Sequence, residues 1–337
     1  MPVVIAAAED MVLSFQLMGG AFRGRLVRAG GVAADMIGPH AYPPAVAHLL
    51  AETLAVGAAM ASGLKYEGIF TLQIQGNGPV HTLVVDMDST GAMRGLARFD
   101  PDDIRLDDAL AALNAAALEA GGSMEAGPFP GALATLVGEG TIAFTVDQGA
   151  HTDRYQGITA LEGGTVSACV EAYFQQSEQV STLVRSAVRP GLAGSLGAVC
   201  LMVQRMPGFE ATQPQSGQQG GGQMGEDWSE AWNRAKILGQ SLTDSELLDA
   251  GLDAQSLLRR PFHGEELAID GYRPLFFRCR CSSEKVENTL KSFPKSELLE
   301  IADNGQVEVT CEFCKAVYMF EVDALFGSAA KGSETRH

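Results

Sequence analysis

The stretch GIFTLQIQG (68–76) alternates strictly, with Phe70, Leu72 and Ile74 to one side and Thr71, Gln73 and Gln75 to the other. That period predicts a half-buried strand. NGP (77–79) is turn chemistry, VHTLVVDMD (80–88) reads as its hairpin partner, and AMRGLARF (92–99) as a third strand. Upstream, PPAVAHLLAETLAVGAAMASGLK (43–65) switches to helical spacing through Val46, Leu49, Leu50, Leu54 and Met60, with Pro43 and Pro44 at its start. Further strand signals are TIAFTVD (141–147) and YQGITAL (155–161). SACVEAYFQQSEQVSTLVRSA (167–187) predicts a helix, followed by another apolar run, AVCLMVQRM (198–206). Together these patterns predict one mixed α/β core domain over 1–208.

The pattern then breaks. FEATQPQSGQQGGGQMGED (209–227) is more than half Gly and Gln and has no apolar period to bury, so it predicts a flexible tether. Short amphipathic helices follow over 228–267, where Thr243 and Glu246 have the spacing of a capping box. These helices have no core of their own and need another surface to lean on. The linker as a whole is drawn at 209–270. In the last segment, 271–326, Val286, Leu290 and Phe293 share one helical face with Ser283 as N-cap, and Ser296 can cap a second helix through 297–302. DNG (303–305) makes a turn, Val307 and Val309 alternate as a strand, and VYMF (317–320) can pair back. The predicted fold class is therefore an α+β (mixed α/β) core, a helical linker and a small zinc-ribbon-like C-terminal domain, with 327–337 as a disordered tail.

Composition changes the picture only in what it excludes. Among 337 residues, acids outnumber bases 41 to 24, for a formal net charge of −17. Nucleic-acid affinity rests largely on Lys and Arg, so no nucleic-acid partner is expected. The longest apolar run, TLAVGAAMASGL (53–64), falls well short of the roughly 20 residues that a membrane span needs, so no membrane partner is expected. The start, MPVVIAAAEDMVLSF, lacks a basic n-region, and a cytoplasmic location is the expectation. No P-loop motif is present, which argues against ATP-driven chemistry. Six scattered histidines define no catalytic triad.

The chemistry concentrates in four cysteines. Cys279 and Cys281 form a C-x-C pair, Cys311 and Cys314 a C-x-x-C pair, and 29 residues (282–310) lie between them. Four thiolates suit tetrahedral Zn²⁺, with one ion per chain. A segment of this size supplies about 3–5 kcal/mol from its own core, whereas structural zinc contributes about 10–16 kcal/mol. Metal occupancy then decides whether the segment folds, which leaves two readings open. One is a constitutive zinc-ribbon interaction module with a purely structural zinc; the other is a switch. Arg278, Arg280, Lys285 and Lys315 near the thiols favour reactive thiolates, although basic residues also balance a permanent Zn–Cys₄ centre. Cys169 and Cys200 sit in apolar stretches and are expected to be buried, inert thiols. His263-Gly264-Glu265 with Cys311-x-x-Cys314 also suggests a zinc deaminase. That reading leaves Cys279 and Cys281 unexplained and has Thr310 where the signature has Pro. No enzyme activity is expected.

FRCRCSSEKVENTL and VEVTCEFC, together with AYFQQSEQ (172–179), GRLVR (24–28), KYEGIFTLQIQGNGPV (65–80) and RPFHGEEL (260–267), resemble the redox-regulated heat-shock holdase family of bacteria, heat shock protein 33. The likeness spans nearly the whole chain. It implies that Cys279, Cys281, Cys311 and Cys314 bind zinc in a reduced, inactive form. It further implies that oxidation makes the disulfides Cys279–Cys281 and Cys311–Cys314, expels the metal, unfolds the C-terminal domain and destabilises the linker. A bridge between residues two apart would span Cα atoms about 7 Å apart in extended chain, a strained and easily reduced arrangement. The resemblance also implies that unfolding client proteins bind the exposed apolar surface without ATP, and that the oxidised form is a homodimer. The Gly/Gln-rich insert is longer than this family usually carries.

Overall fold

A computed structural model describes residues 10–124, 128–149, 154–189, 197–207 and 228–327. The predicted tether at 209–227 and nearly all of the predicted tail at 327–337 lie outside the described residues. The chain divides into two compact units, Met1–Phe277 and Arg278–His337.

The first unit runs β1 (Asp10–Leu17), β2 (Phe22–Ala29), α1 (Gly31–Ile37), α2 (Pro44–Ala61), β3 (Ile69–Gly76), β4 (Val80–Asp88), β5 (Ala92–Phe99), α3 (Ile104–Glu119) and α4 (Ala132–Val137). It continues through β6 (Gly140–Asp147), β7 (Tyr155–Ala160), α5 (Val166–Tyr173), β8 (Thr182–Arg189), β9 (Gly197–Arg205), α6 (Trp228–Gln240), α7 (Asp244–Leu247), α8 (Ala254–Phe262), β10 (Ala268–Pro274) and β11 (Phe276–Phe277). These strands make two sheets, ordered β10-β1-β2-β9-β8 and β11-β5-β4-β3-β6-β7. The predicted β3–β4–β5 meander is present with antiparallel pairing throughout.

Helix α2 packs against β2, β8 and β9 of one sheet and β4 of the other, so it is apolar nearly all round. It is long and apolar enough to cross a membrane by composition, yet 83% of it is buried inside the fold, which marks it as a core helix. The outer face of the first sheet has its own apolar core. Leu13, Phe15, Phe22, Leu26, Leu183, Leu201 and Val203 meet Ala231, Ala235, Leu257, Leu258 and Phe262 of the helices α6 to α8. Close approach requires small residues on both sides. A Cβ on Gly24 would stand 2.0 Å from the Phe15 ring, and one on Gly239 of α6 would stand 2.4 Å from Leu183.

The helix expected over 167–187 is a helix only in its first part. Helix α5 ends at Tyr173, a π-helical turn covers Phe174–Glu178, and β8 begins at Thr182. Because β8 is buried on both faces, Leu183, Val184 and Ala187 imitate helical spacing. Leu183 and Ala187 face the outer helices, whereas Val184 faces α2. The boundary drawn at 271 also differs. Residues 268–274 pair with β1 and Phe276–Phe277 pair with β5, so the second unit starts at Arg278.

That unit contains α9 (Ser283–Leu290), α10 (Lys295–Ile301), the hairpin β12 (Gln306–Thr310) and β13 (Val317–Glu321), and α11 (Val322–Phe326). Its core is five buried side chains: Leu290, Leu298, Val307, Val322 and Leu325. Asn304 and Gly305 both adopt positive φ (51° and 83°), as the predicted DNG turn requires. The cap of α9 is Ser282, not Ser283, since Ser282 holds the extended conformation and accepts from the Lys285 N–H. Helix α10 starts at Lys295 after Pro294, so Ser296 is inside it. Phe293, expected on the buried face, is 47% exposed.

A carboxyl group lies deep in the first unit. Glu52 of α2 accepts from the Ser186 hydroxyl (2.9 Å) and from the Ser167 N–H (3.3 Å). Burial raises its pKa, more than these hydrogen bonds lower it. An unfolded Glu ionises near 4.5 while the folded one keeps its proton to higher pH. Folding stability is therefore lost as pH rises above that unfolded value and levels off above the folded pKa. Glu52→Gln should flatten this profile, so that its stability relative to the parent chain rises from pH 4 to 8. Urea unfolding of both chains from pH 4 to 8 checks this; equal pH slopes would count against a neutral buried carboxyl.

Candidate metal centre

Each cysteine pair sits on a short irregular segment pinned by regular structure. Cys279 and Cys281 lie between β11 and the Ser282 cap of α9. Cys311 and Cys314 form the tip of the β12–β13 hairpin. There the Cys311 N–H donates to the Ala316 carbonyl and the Lys315 N–H donates to the Cys311 carbonyl, both at 2.9 Å. Lys315 takes a left-handed φ of 58°, which folds the turn back on itself. Both predicted pairs thereby converge, and all four sulfurs lie within 4.8 Å of one another.

Two short approaches run between the pairs: Cys279 Sγ to Cys311 Sγ at 3.7 Å and Cys281 Sγ to Cys314 Sγ at 3.4 Å. A tetrahedron with metal–sulfur bonds of about 2.3 Å has sulfur–sulfur edges of about 3.8 Å. The sulfurs thus stand where four thiolates around one ion would stand. Four soft donors of this kind fit zinc or a similar thiophilic ion and leave no coordination position open for water.

The sulfurs are not equivalent. Burial works against ionisation of Cys279, but the Cys281 backbone N–H and the other thiols outweigh it and bring Cys279 down to about 7. Burial pushes Cys281 and Cys314 up. The Tyr318 hydroxyl donates to Cys281 Sγ at 3.1 Å. Sequence reasoning missed Tyr318; its signal is the alternation of β13, where Tyr318 and Phe320 pair with Val309 and Val307. Lys285, expected to act on the thiols, spends its ammonium on the Arg280 carbonyl at 2.8 Å. Cys169 and Cys200 are buried, as expected, and burial raises the pKa of both, Cys169 to about 11.

The deaminase reading finds no support in this geometry. His263 Nδ1 lies 3.1 Å from the Arg260 carbonyl, and Glu265 pairs with Arg234 at 2.9 Å. Neither belongs to the cluster of candidate ligands.

A model of the Hsp33 protein family matches residues 10–321. The chain belongs to the Hsp33 family. Among curated Hsp33 relatives, the 33 kDa chaperonin of Caulobacter vibrioides is 35% identical over 93% of this chain and 95% of its own length. The 33 kDa chaperonin of Ectopseudomonas mendocina is 33% identical over 94% of this chain and 95% of its own length. The crystal structure of the Thermotoga maritima Hsp33 homologue shares the fold, with a TM-score of 0.70, 20% identity, and coverage of 94% of this chain and 97% of that one.

Cobalt(II) reports ligand type and geometry directly. Titrated into the reduced Hsp33 chain, it should give the sulfur-to-metal charge-transfer bands and the d–d pattern of a tetrahedral four-thiolate site. Cys279→Ser should weaken these bands and reduce affinity by at least about tenfold, the low end of what is lost when even a supporting partner of a ligand is removed. Unchanged spectra in the variant would remove Cys279 from the site.

Proposed function

We propose that this Hsp33 family member is a redox-regulated, ATP-independent holdase. Cys279, Cys281, Cys311 and Cys314 hold one zinc ion in the resting state, in a cytoplasm that keeps thiols reduced. The observation that carries the proposal is the pairing of two marginal parts in one continuous stretch of chain. The outer face of the first sheet is large and apolar, and its cover is made of short helices, one of only four residues. Isolated helices of this length do not persist in water. The chain passes from those helices through β10 and β11 directly to Cys279.

The four thiolates provide the trigger. Hydrogen peroxide takes two electrons from a thiolate pair to form one disulfide and, with two protons from solvent, leaves as two waters. Two such reactions bridge Cys279 to Cys281 and Cys311 to Cys314. The bridged sulfurs no longer act as thiolate ligands, so the centre cannot keep its metal. A unit with five buried side chains then lacks the stabilisation of about 10–16 kcal/mol that a structural zinc supplies. Unfolding there is passed back along the chain through β11 and β10 to the outer helices, and the sheet face they cover becomes available to unfolding client proteins. The opened form associates as a homodimer.

A second reading has its own support. Four thiolates with no open position are also the donor set of a permanent structural zinc. Oxidant response separates the two. Peroxide with mild heating should release one zinc per chain, consume four thiols, yield the two intrachain disulfides by peptide mapping, and only then suppress aggregation of a thermally unfolding client. Zinc retained through thiol oxidation, or equal suppression before and after, would establish the structural reading instead.

A further inference from the structure

Apolar contact is only part of what holds the outer helices to the sheet. Arg28 follows Leu26 on the same face of β2, and Arg185 and Arg189 follow Leu183 and Ala187 on β8. Arg28 Nη2 donates to the backbone carbonyl of Leu252 at 2.6 Å and to that of Asp249 at 3.4 Å. Arg189 Nη1 donates to the Leu248 carbonyl at 3.0 Å, and Arg185 pairs with Asp244 at 2.8 Å. The acceptors span the four-residue helix α7 and the turn after it, where the last carbonyls of a helix have no partner within it. The sheet thus supplies donors to the Leu248 and Leu252 carbonyls and a second donor to the Asp249 carbonyl, which also accepts from the Leu252 N–H at 3.3 Å.

We propose that Arg28, with Arg189 beside it, is a latch that sets how readily the outer helical layer opens. Its functional consequence rests on the holdase reading above. Arg28 is only 8% exposed, and its Nε is buried without a hydrogen-bond partner. Its two acceptors and the carboxylates that favour its charge, Asp253 and Asp249, all belong to the layer it holds. When the layer is closed, a desolvated guanidinium is offset by those groups. When the layer opens, water takes their place. The latch is therefore close to balance by construction: strong enough to keep the layer seated, with hydration of the cation always available as compensation for release. Arg28 acts as a positioning residue, placing the turn at 248–252 so that Leu247, Leu257 and Leu258 enter the apolar core.

The test uses the full-length, reduced, zinc-loaded chain and its R28M, R28K and R189M variants. Amide hydrogen exchange is followed over 244–262 and, as an internal control, over 295–326. R28M should speed exchange in the first segment by about tenfold or more, the equilibrium change expected from losing one hydrogen bond to a charged group. Zinc content, free thiols and exchange over 295–326 should match wild type. R28M should also suppress client aggregation without oxidant, and R28K should recover part of the protection. Wild-type exchange over 244–262 in both R28M and R189M would overturn the latch. If R28M does not fold, R189M, whose side chain is on the exposed rim, decides the matter by the same exchange measurement. Faster exchange without holdase activity would uphold the latch and count against the sheet face as the client site. Failure of oxidised wild type to hold clients would reject the holdase reading and leave the exchange result standing.

Discussion

The first sheet is apolar on both faces, and everything else in the first unit follows from having to cover it twice. A sheet with two buried faces needs two partners. One is permanent: α2, buried nearly all round, is wedged between the two sheets and cannot leave without dismantling them. The other is a layer of three short helices, and nothing in the first unit lies outside it among the described core residues. The same kind of apolar burial is therefore secured very differently on the two sides. Removing α2 would unfold the protein, whereas removing the outer layer would leave a sheet still backed by α2.

The second unit lacks that redundancy. Leu290, Leu298, Val307, Val322 and Leu325 are its buried core among the described residues, and Leu299, Ile301 and Met319 stay exposed. Its hairpin tip and the segment before α9 bring the four sulfurs together by local geometry, through the Lys315 turn and the Ser282 cap. Folding of the unit and assembly of the sulfur cluster are thus one event, as in small domains whose metal-binding energy is also their folding energy.

Legibility in the sequence tracked how far each feature depends on local pattern. The cysteine quartet was readable because ligand spacing is a local constraint, and β3 because one of its faces is polar and only partly covered. The Thr243–Glu246 capping box was readable for the same reason and is present on both sides of the exchange. Strands β1 and β2 went unrecognised, since Met11, Val12 and Leu13 are all buried and erase the alternation. The pattern of strand β8 reads as helix because its two faces enter different cores. The Arg28–Leu252 hydrogen bond links positions 224 residues apart, and its acceptor is a backbone atom, so no side-chain pattern encodes it. Tyr318 reaches Cys281 across 37 residues, and only the hairpin register determines which face it takes.

The acidity of the chain, which argues against nucleic-acid partners, acquires a second meaning beside the proposed opening. A protein that bares the Phe15, Phe22, Leu26 and Leu201 face offers its own copies the same surface it offers to others. Large apolar patches drive self-association, and a formal net charge of −17 opposes it by long-range repulsion. Repulsion of that range acts between whole molecules, while apolar contact acts only where surfaces touch, so indefinite aggregation of the opened form is resisted. The arginines support the same division. Arg28, Arg185 and Arg189 lie on the covered face itself. Once uncovered, they place cations among the exposed apolar side chains of an otherwise acidic molecule, and so interrupt the patch with hydrated groups at the positions where the cover had been attached.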